Sequence, residues 1–108
     1  MANTFKNAYH DVTTSLADAY TAPGSTTSIV LTLRITNVDG AADATVDARV
    51  VDASSGDAYL AYTLTVPADS SVELAGTSKI VLETGDKIQL KGSAAGDLEA
   101  FISVLQIT

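Results

Sequence analysis

The sequence predicts an all-β protein, an antiparallel β-sandwich or jelly roll of about eight strands in a single domain over residues 1 to 108. Two observations carry that expectation. Apolar residues recur at period two along most of the chain, and the i, i+3, i+4, i+7 spacing of an amphipathic helix is sustained over no long window. Turn formers, chiefly Gly, Asp and Ser, punctuate the alternation at intervals of about 8 to 12 residues, as in sandwiches and jelly rolls.

The elements follow in order. Residues 4 to 12 and 16 to 22 make the first two strands, and "TAPGST" turns the chain. "DVTTSLADAY" offers a helix cap and some helix formers, so a helical stretch within residues 11 to 19 is the local rival. Residues 26 to 38 give the clearest strand, with Ile29, Leu31, Leu33 and Ile35 expected inward and Thr32, Arg34 and Thr36 outward; its β-branched content supports the assignment. Asp39-Gly40 supplies a tight connection, and residues 44 to 52 return with Val46, Ala48 and Val50 on one side. After "ASSGDA", residues 58 to 66 are expected to turn Leu60, Tyr62, Leu64 and Val66 inward. Pro67 lacks an amide donor, so it ends that strand or places it at an edge. Residues 71 to 75 and 78 to 83 form short strands around Gly76, Thr84-Gly85-Asp86 turns, and residues 86 to 92 and 98 to 107 close the fold around "SAAGD".

The last segment differs from the others. Leu98, Ala100, Ile102 and Val104 line one face of the strand, while Phe101, Leu105 and Ile107 line the other. One apolar face fits the core of the domain. The second requires another cover, and in so short a chain a neighbouring subunit is the expected one.

Thirteen carboxylates against six Lys and Arg give a net charge of −7, spread evenly over the two halves. That balance argues against nucleic acid, whose phosphates call for clustered cations. No run approaches the length of a membrane span, and "MANTFKNAYH" lacks the apolar region of a secretory signal. The absence of cysteine removes thiol catalysis, disulfide frameworks and Cys-ligated zinc.

No grouping of residues reads as a reaction centre, so no enzymatic activity, cofactor or metal is expected. His10 is the lone histidine; it lies in a strand-like context, and no G-x-S-x-G elbow is present. One histidine without cysteines does not make a zinc site. Asp39, Asp43, Asp52, Asp57 and Asp97 fall in turns, where loops of a sandwich sometimes gather calcium ligands, but the ordinary role of Asp there is to bond nearby amides. Glu83 and Asp86 flank a hairpin tip that offers no cleft, so they read as solvated turn charges. Lys87, Gln89 and Lys91 read as the wet face of a strand whose Ile88 and Leu90 point inward. "TAPGSTTS" has no lysine in a phosphate-loop frame.

"MANTFKNA", "YTAP", "VPADSSVEL" and above all "KIVLETGDKIQLKGSAAGDLEAFISVLQIT" together resemble a group of small virion structural proteins of tailed bacteriophages, including marine and cyanobacterial phages. The similarity covers nearly the whole chain and is most specific in its C-terminal block. It implies a non-enzymatic β-sandwich assembled in many copies on a particle, with no catalytic or metal residues to carry over. Capsid decoration or cementing is the leading expectation, by a symmetric homo-oligomer, expected to be a trimer, made in the host cytoplasm and carried on the virion. Its partners are then itself and the major capsid or other virion proteins. Phe101, Leu105 and Ile107 are the expected subunit contacts. Phe5, Lys6, Tyr9 and His10 are expected to reach an adjacent protein, unless that segment is simply an edge strand of the domain. A neck, tail or fibre protein is the alternative within the class. A glycan-binding module using "TNVDGAAD" and "VDASSGDA" is the alternative outside it, disfavoured by the scarcity of aromatic residues.

Overall fold

A computed structural model describes residues 2–54, 56–75 and 78–108. Gly76, expected between the two short strands, and Ser55 of the expected turn "ASSGDA" lie outside the described residues. Nine strands follow one another among the described residues: β1 (Asn3–Asp11), β2 (Ala17–Thr21), β3 (Thr27–Asn37), β4 (Ala44–Asp52), β5 (Gly56–Val66), β6 (Ser71–Glu73), β7 (Ile80–Leu82), β8 (Lys87–Gly92) and β9 (Leu98–Ile107). No helix forms among them; the rival helical stretch resolves into a loop followed by β2.

Every pairing is antiparallel. One sheet runs β1-β9-β3-β6, with β7 also on β3, and the other runs β2-β8-β4-β5. Because β9 occupies one edge of β3 along its length, β6 and β7 share the opposite edge as two pieces of one interrupted strand. Counted so, each sheet has four strands, and the chain crosses between sheets in the order of a jelly roll. The interruption is filled by a side chain: Glu73 Oε2 accepts the amides of Leu33 at 2.7 Å and Ala75 at 3.1 Å, where a continuous strand would have bonded β3.

The core lies between the sheets. Val30, Leu33 and Ile35 of β3 and Ile102 and Val104 of β9 meet Val46 and Ala48 of β4 and Ile88 and Leu90 of β8, all essentially without solvent contact. Each Val, Leu or Ile among them contributes roughly 1.5–3 kcal/mol by leaving water. Ser28 and Asn37, drawn inside, are satisfied: Ser28 bonds the Tyr20 hydroxyl at 2.7 Å, and that hydroxyl accepts from Gln106 at 2.8 Å. Asn37 donates to the carbonyls of Ala42 and Val66 and accepts from the Asp39 amide.

Two strands depart from simple alternation. In β3 the register against β9 shifts between Val30 and Thr32, which leaves Leu31 as an extra residue. A bulge reverses the facing of everything beyond it. Ser28 and Val30 are therefore buried, and Ile29 and Leu31, expected inward, are only half-buried. In β5 the register against β4 shifts twice, and Thr63 takes a left-handed φ of 52°. Leu60 and Tyr62, expected inward, are consequently 39% and 69% exposed.

The turns are held by more than local bonds. The Asp86 amide bonds the Glu83 carbonyl at 2.9 Å, and Gly85 at the third position has φ 86°, which defines a type II turn. Glu83 is a solvated turn charge as expected, but Asp86 is not: it is 7% exposed, and its two carboxylate oxygens accept the amides of Ala53 and Glu83. The loop after β2 joins the same turn, where Ala22 exchanges backbone bonds with Gly85 and Asp86 and Thr26 exchanges bonds with the Thr84 hydroxyl.

Candidate functional site

Alternation in β1 and β9 sends Phe5, Tyr9, Phe101, Leu105 and Ile107 to the outer face of the five-stranded sheet, away from the core. The register then sets them in rows. Phe5 lies opposite Leu105, Leu105 opposite Ile29, and Ile29 opposite Val81, so one apolar row crosses four strands. Two steps along, Tyr9, Phe101, Arg34 and Glu73 form a second row. The rings of Tyr9 and Phe101 lie 5.6 Å apart at 45°, and Arg34 approaches Glu73 at 3.8 Å. Phe5, Tyr9 and Val81 are 73%, 75% and 59% exposed, too much surface for residues of this type to be covered within the chain.

The outer face of the four-stranded sheet is built differently. Arg49 pairs with Asp57 at 2.8 Å and donates to Gln89 at 2.9 Å; Gln89 donates to Asp18 at 2.7 Å, and Lys87 pairs with Asp18 at 3.2 Å. The hydrogen bond from Gln89, joined by Lys87, holds the Asp18 carboxyl below its ordinary pKa. Lys87, Gln89 and Lys91 thus line the outer side of β8 while Ile88 and Leu90 are buried. One face of the sandwich is mainly a polar lattice, with Tyr59 and Tyr62 exposed at its β5 edge, and the other carries an apolar stripe.

Of the residues singled out in the sequence, Phe101, Leu105 and Ile107 share the apolar face, and Phe5 and Tyr9 extend it onto β1. That N-terminal segment is an edge strand of the fold itself. Lys6 and His10 fall on its inner side, opposite Val104 and Ala100, with Lys6 still exposed at the sheet edge. The four N-terminal residues therefore do not share one face of the strand. His10 Nε2 is buried without a hydrogen-bond partner.

A shallow depression of about 250 Å³ is lined by Tyr9, His10, Asp11, Thr36, Glu99, Ala100 and Phe101. It does not assemble an acid–base grouping around the imidazole, because Asp11 and Glu99 sit opposite each other on the outer face and His10 points the other way. Among the described residues no three His, Asp or Glu side chains are placed to hold a metal ion. Among the turn carboxylates, Asp39 accepts from Ala41 and Asp52 from Ser54 two residues on, Asp43 accepts from Ala68 in the loop after β5, and Asp57 pairs with Arg49.

Sequence reasoning missed Ile29 and Val81 as members of the apolar row. Ile29 was hidden by the bulge, and Val81 lies in a three-residue strand too short to show alternation. It also missed the exposed trio of Tyr59, Leu60 and Tyr62 on β5, where the two tyrosine rings meet edge to face at 4.9 Å.

No protein-family model matches the chain, and no curated protein matches it in sequence. Solved structures do. A chain from Bacillus endospore appendages, described as a novel family of disulfide-linked pili, aligns with a TM-score of 0.56 at 14% identity, over 99% of this chain and 87% of that one. A chain from the acid-stable capsid of Helicobacter pylori bacteriophage KHP30 aligns with a TM-score of 0.55 at 11% identity, over 100% of this chain and 89% of that one. At these identities the likeness is one of fold.

Proposed function

We propose that this chain is a non-enzymatic building block of a bacteriophage virion, acting as a capsid decoration or cement protein of the tailed-phage type suggested by its C-terminal block. The observation that carries the reading is the apolar row Phe5–Leu105–Ile29–Val81 on an otherwise finished sandwich. Large apolar patches left on a small sandwich mark surfaces that meet other protein. Phe101, Leu105 and Ile107 are the subunit contacts in this reading, and each contributes on the order of 1.5–3 kcal/mol before the cost of association is subtracted. Repetition over a symmetric particle multiplies contacts that are individually weak.

The shared fold with a phage capsid chain and a pilus chain supports an assembling role. The pilus likeness does not extend to its disulfide links, since this chain contains no cysteine. Cohesion here is therefore assigned to packing and hydrogen bonding. The test is the protein content of purified particles: peptides of this chain in a fixed ratio to the coat protein, with antibody label over the head, are expected. Label confined to the tail or neck moves the protein to that position, and particles lacking the chain overturn the virion reading.

A further inference from the structure

The two sheets expose four outer edges, and three of them are interrupted. β2 has five residues and a register shift, β5 is shifted twice, and the far edge of β3 is covered only by the separate three-residue pieces β6 and β7. Such devices keep sheet edges from pairing with other chains. β1 has neither break nor bulge: its nine residues keep one register with β9 from Asn3–Ile107 to Asp11–Glu99.

The backbone of β1 has a definite polarity. Ala2 exchanges bonds with Thr108 at 3.3 and 3.0 Å, and Val12 donates to Leu98 at 3.1 Å. With the register unbroken between them, the even-numbered residues bond β9. Asn3, Phe5, Asn7, Tyr9 and Asp11 then turn their amides and carbonyls to the free edge.

We propose that β1 pairs antiparallel with β1 of a second copy, across a two-fold axis at Asn7. Only registers that set odd residues against odd ones match bonding groups and faces. An axis at Lys6 places that ammonium against its own copy, and an axis at Ala8 sets Phe5 against Asp11. The axis at Asn7 engages all five outward-bonding residues, giving about ten hydrogen bonds. It sets Phe5 against Tyr9 of the second copy and Tyr9 against Phe5, aromatic cross-strand pairs of a stabilising kind. Lys6, the one charge on the inner side of this edge, then faces Ala8 instead of another cation. The strand is self-complementary about Asn7, which is why a second copy is its fitting occupant.

Pairing gives Phe5 an aromatic neighbour opposite its own Leu105 and gives Tyr9 a second aromatic neighbour beside its own Phe101. It also joins the outer faces: the row Val81, Ile29, Leu105, Phe5 continues into Tyr9, Phe101 and Arg34 of the second copy. The inference deepens the building-block reading and uses an edge distinct from the Leu105 and Ile107 surface. It does not depend on a place in the virion.

The chain has no cysteine, so Asn7→Cys introduces a single thiol. On the axis, hydrogen-bonded partners lie about 5.5 Å apart between Cα atoms, within reach of a disulfide. Mild oxidation is expected to give covalent dimers of Asn7→Cys on a non-reducing gel. Asn3→Cys should not link, because its copy lies eight residues along, about 27 Å away. Asn7→Pro removes an amide that points away from β9, and sedimentation should show self-association weakened about tenfold or more with the far-UV dichroism unchanged. An Asn7→Cys chain that stays unlinked, or links no faster than Asn3→Cys, overturns the two-fold pairing whether or not particles carry the protein. A strand from another protein on this edge gives that same unlinked result. If Asn7→Pro fails to fold, the cysteine pair decides alone.

Discussion

Asp86 shows how a residue read as surface chemistry becomes structural once its neighbours are known. Its carboxylate takes the Ala53 amide at 3.0 Å and the Glu83 amide at 2.9 Å, tying the turn before β8 to the turn after β4 while only 7% exposed. Hydrogen bonds to a charged group are worth about 1.5–3 kcal/mol each, and removing the acceptor leaves two amides to find water in a closed turn. Asp86→Ala is therefore expected to lower unfolding free energy by about 3 kcal/mol, read from the urea midpoint, with Asp86→Asn recovering part of it. Asp18 makes a smaller, pH-dependent contribution. Its carboxyl is held below the ordinary value of 3.8 by Gln89 and Lys87, so the folded state binds its proton less readily than the unfolded chain. That stabilisation is fully present above the ordinary value and is lost as pH falls through the lowered one. Thermal midpoints of the protein and of Asp18→Asn should differ slightly at neutral pH, converge in acid, and differ less in high salt because the group is exposed.

At the scale of elements, what period two can express was legible in the sequence. The nine strands fall where the alternation and the Gly, Asp and Ser turns place them, and residues 44 to 52 coincide with β4 from end to end. The two faces of β9 were legible too, since ten residues pair with two neighbouring strands without a shift in the half that carries Leu98, Ala100 and Ile102. Which side chains of β3 and β5 face inward was not. Facing there depends on an inserted residue at Leu31 and on a left-handed Thr63, whose amide is rescued by Asp47 Oδ1 at 2.7 Å on the adjacent strand. Neither site carries the glycine that would have marked it in the sequence. The bulge in β3 makes a sharp prediction, because alternation counted from Leu33 puts Ile29 inside and Val30 outside, the reverse of the structure. Val30→Asp buries an unpaired charge and should cost about 3–5 kcal/mol, enough to unfold a domain of ordinary stability. Ile29→Asp should keep the urea midpoint within about 1 kcal/mol and change self-association instead.

For the whole molecule, the decisive property is the difference between its two broad faces. The chain extends 47 × 26 × 22 Å, so a sheet face is comparable to the roughly 800 Å² that each partner buries in a standard interface. One such face is laced by Arg49, Gln89, Asp18 and Lys87, with Tyr59 and Tyr62 exposed on its β5 edge. The other gathers Phe5, Leu105, Ile29, Val81, Tyr9 and Phe101, and at its end sets Asp11 against Glu99, a like-charge pair that gives its boundary a polar rim. An apolar centre with a charged rim is the layout of a surface that is covered in the working state. Replacing Phe101 and Leu105 together by Asp tests that at the scale where it matters. Neither side chain belongs to the buried core, so the β-type circular dichroism should persist while the native mass falls to that of smaller species. Outright unfolding of the double variant would place both residues in the interior of a lone subunit. An unchanged mass, with the wild type already a solitary monomer, would leave the apolar face without the neighbour that explains it.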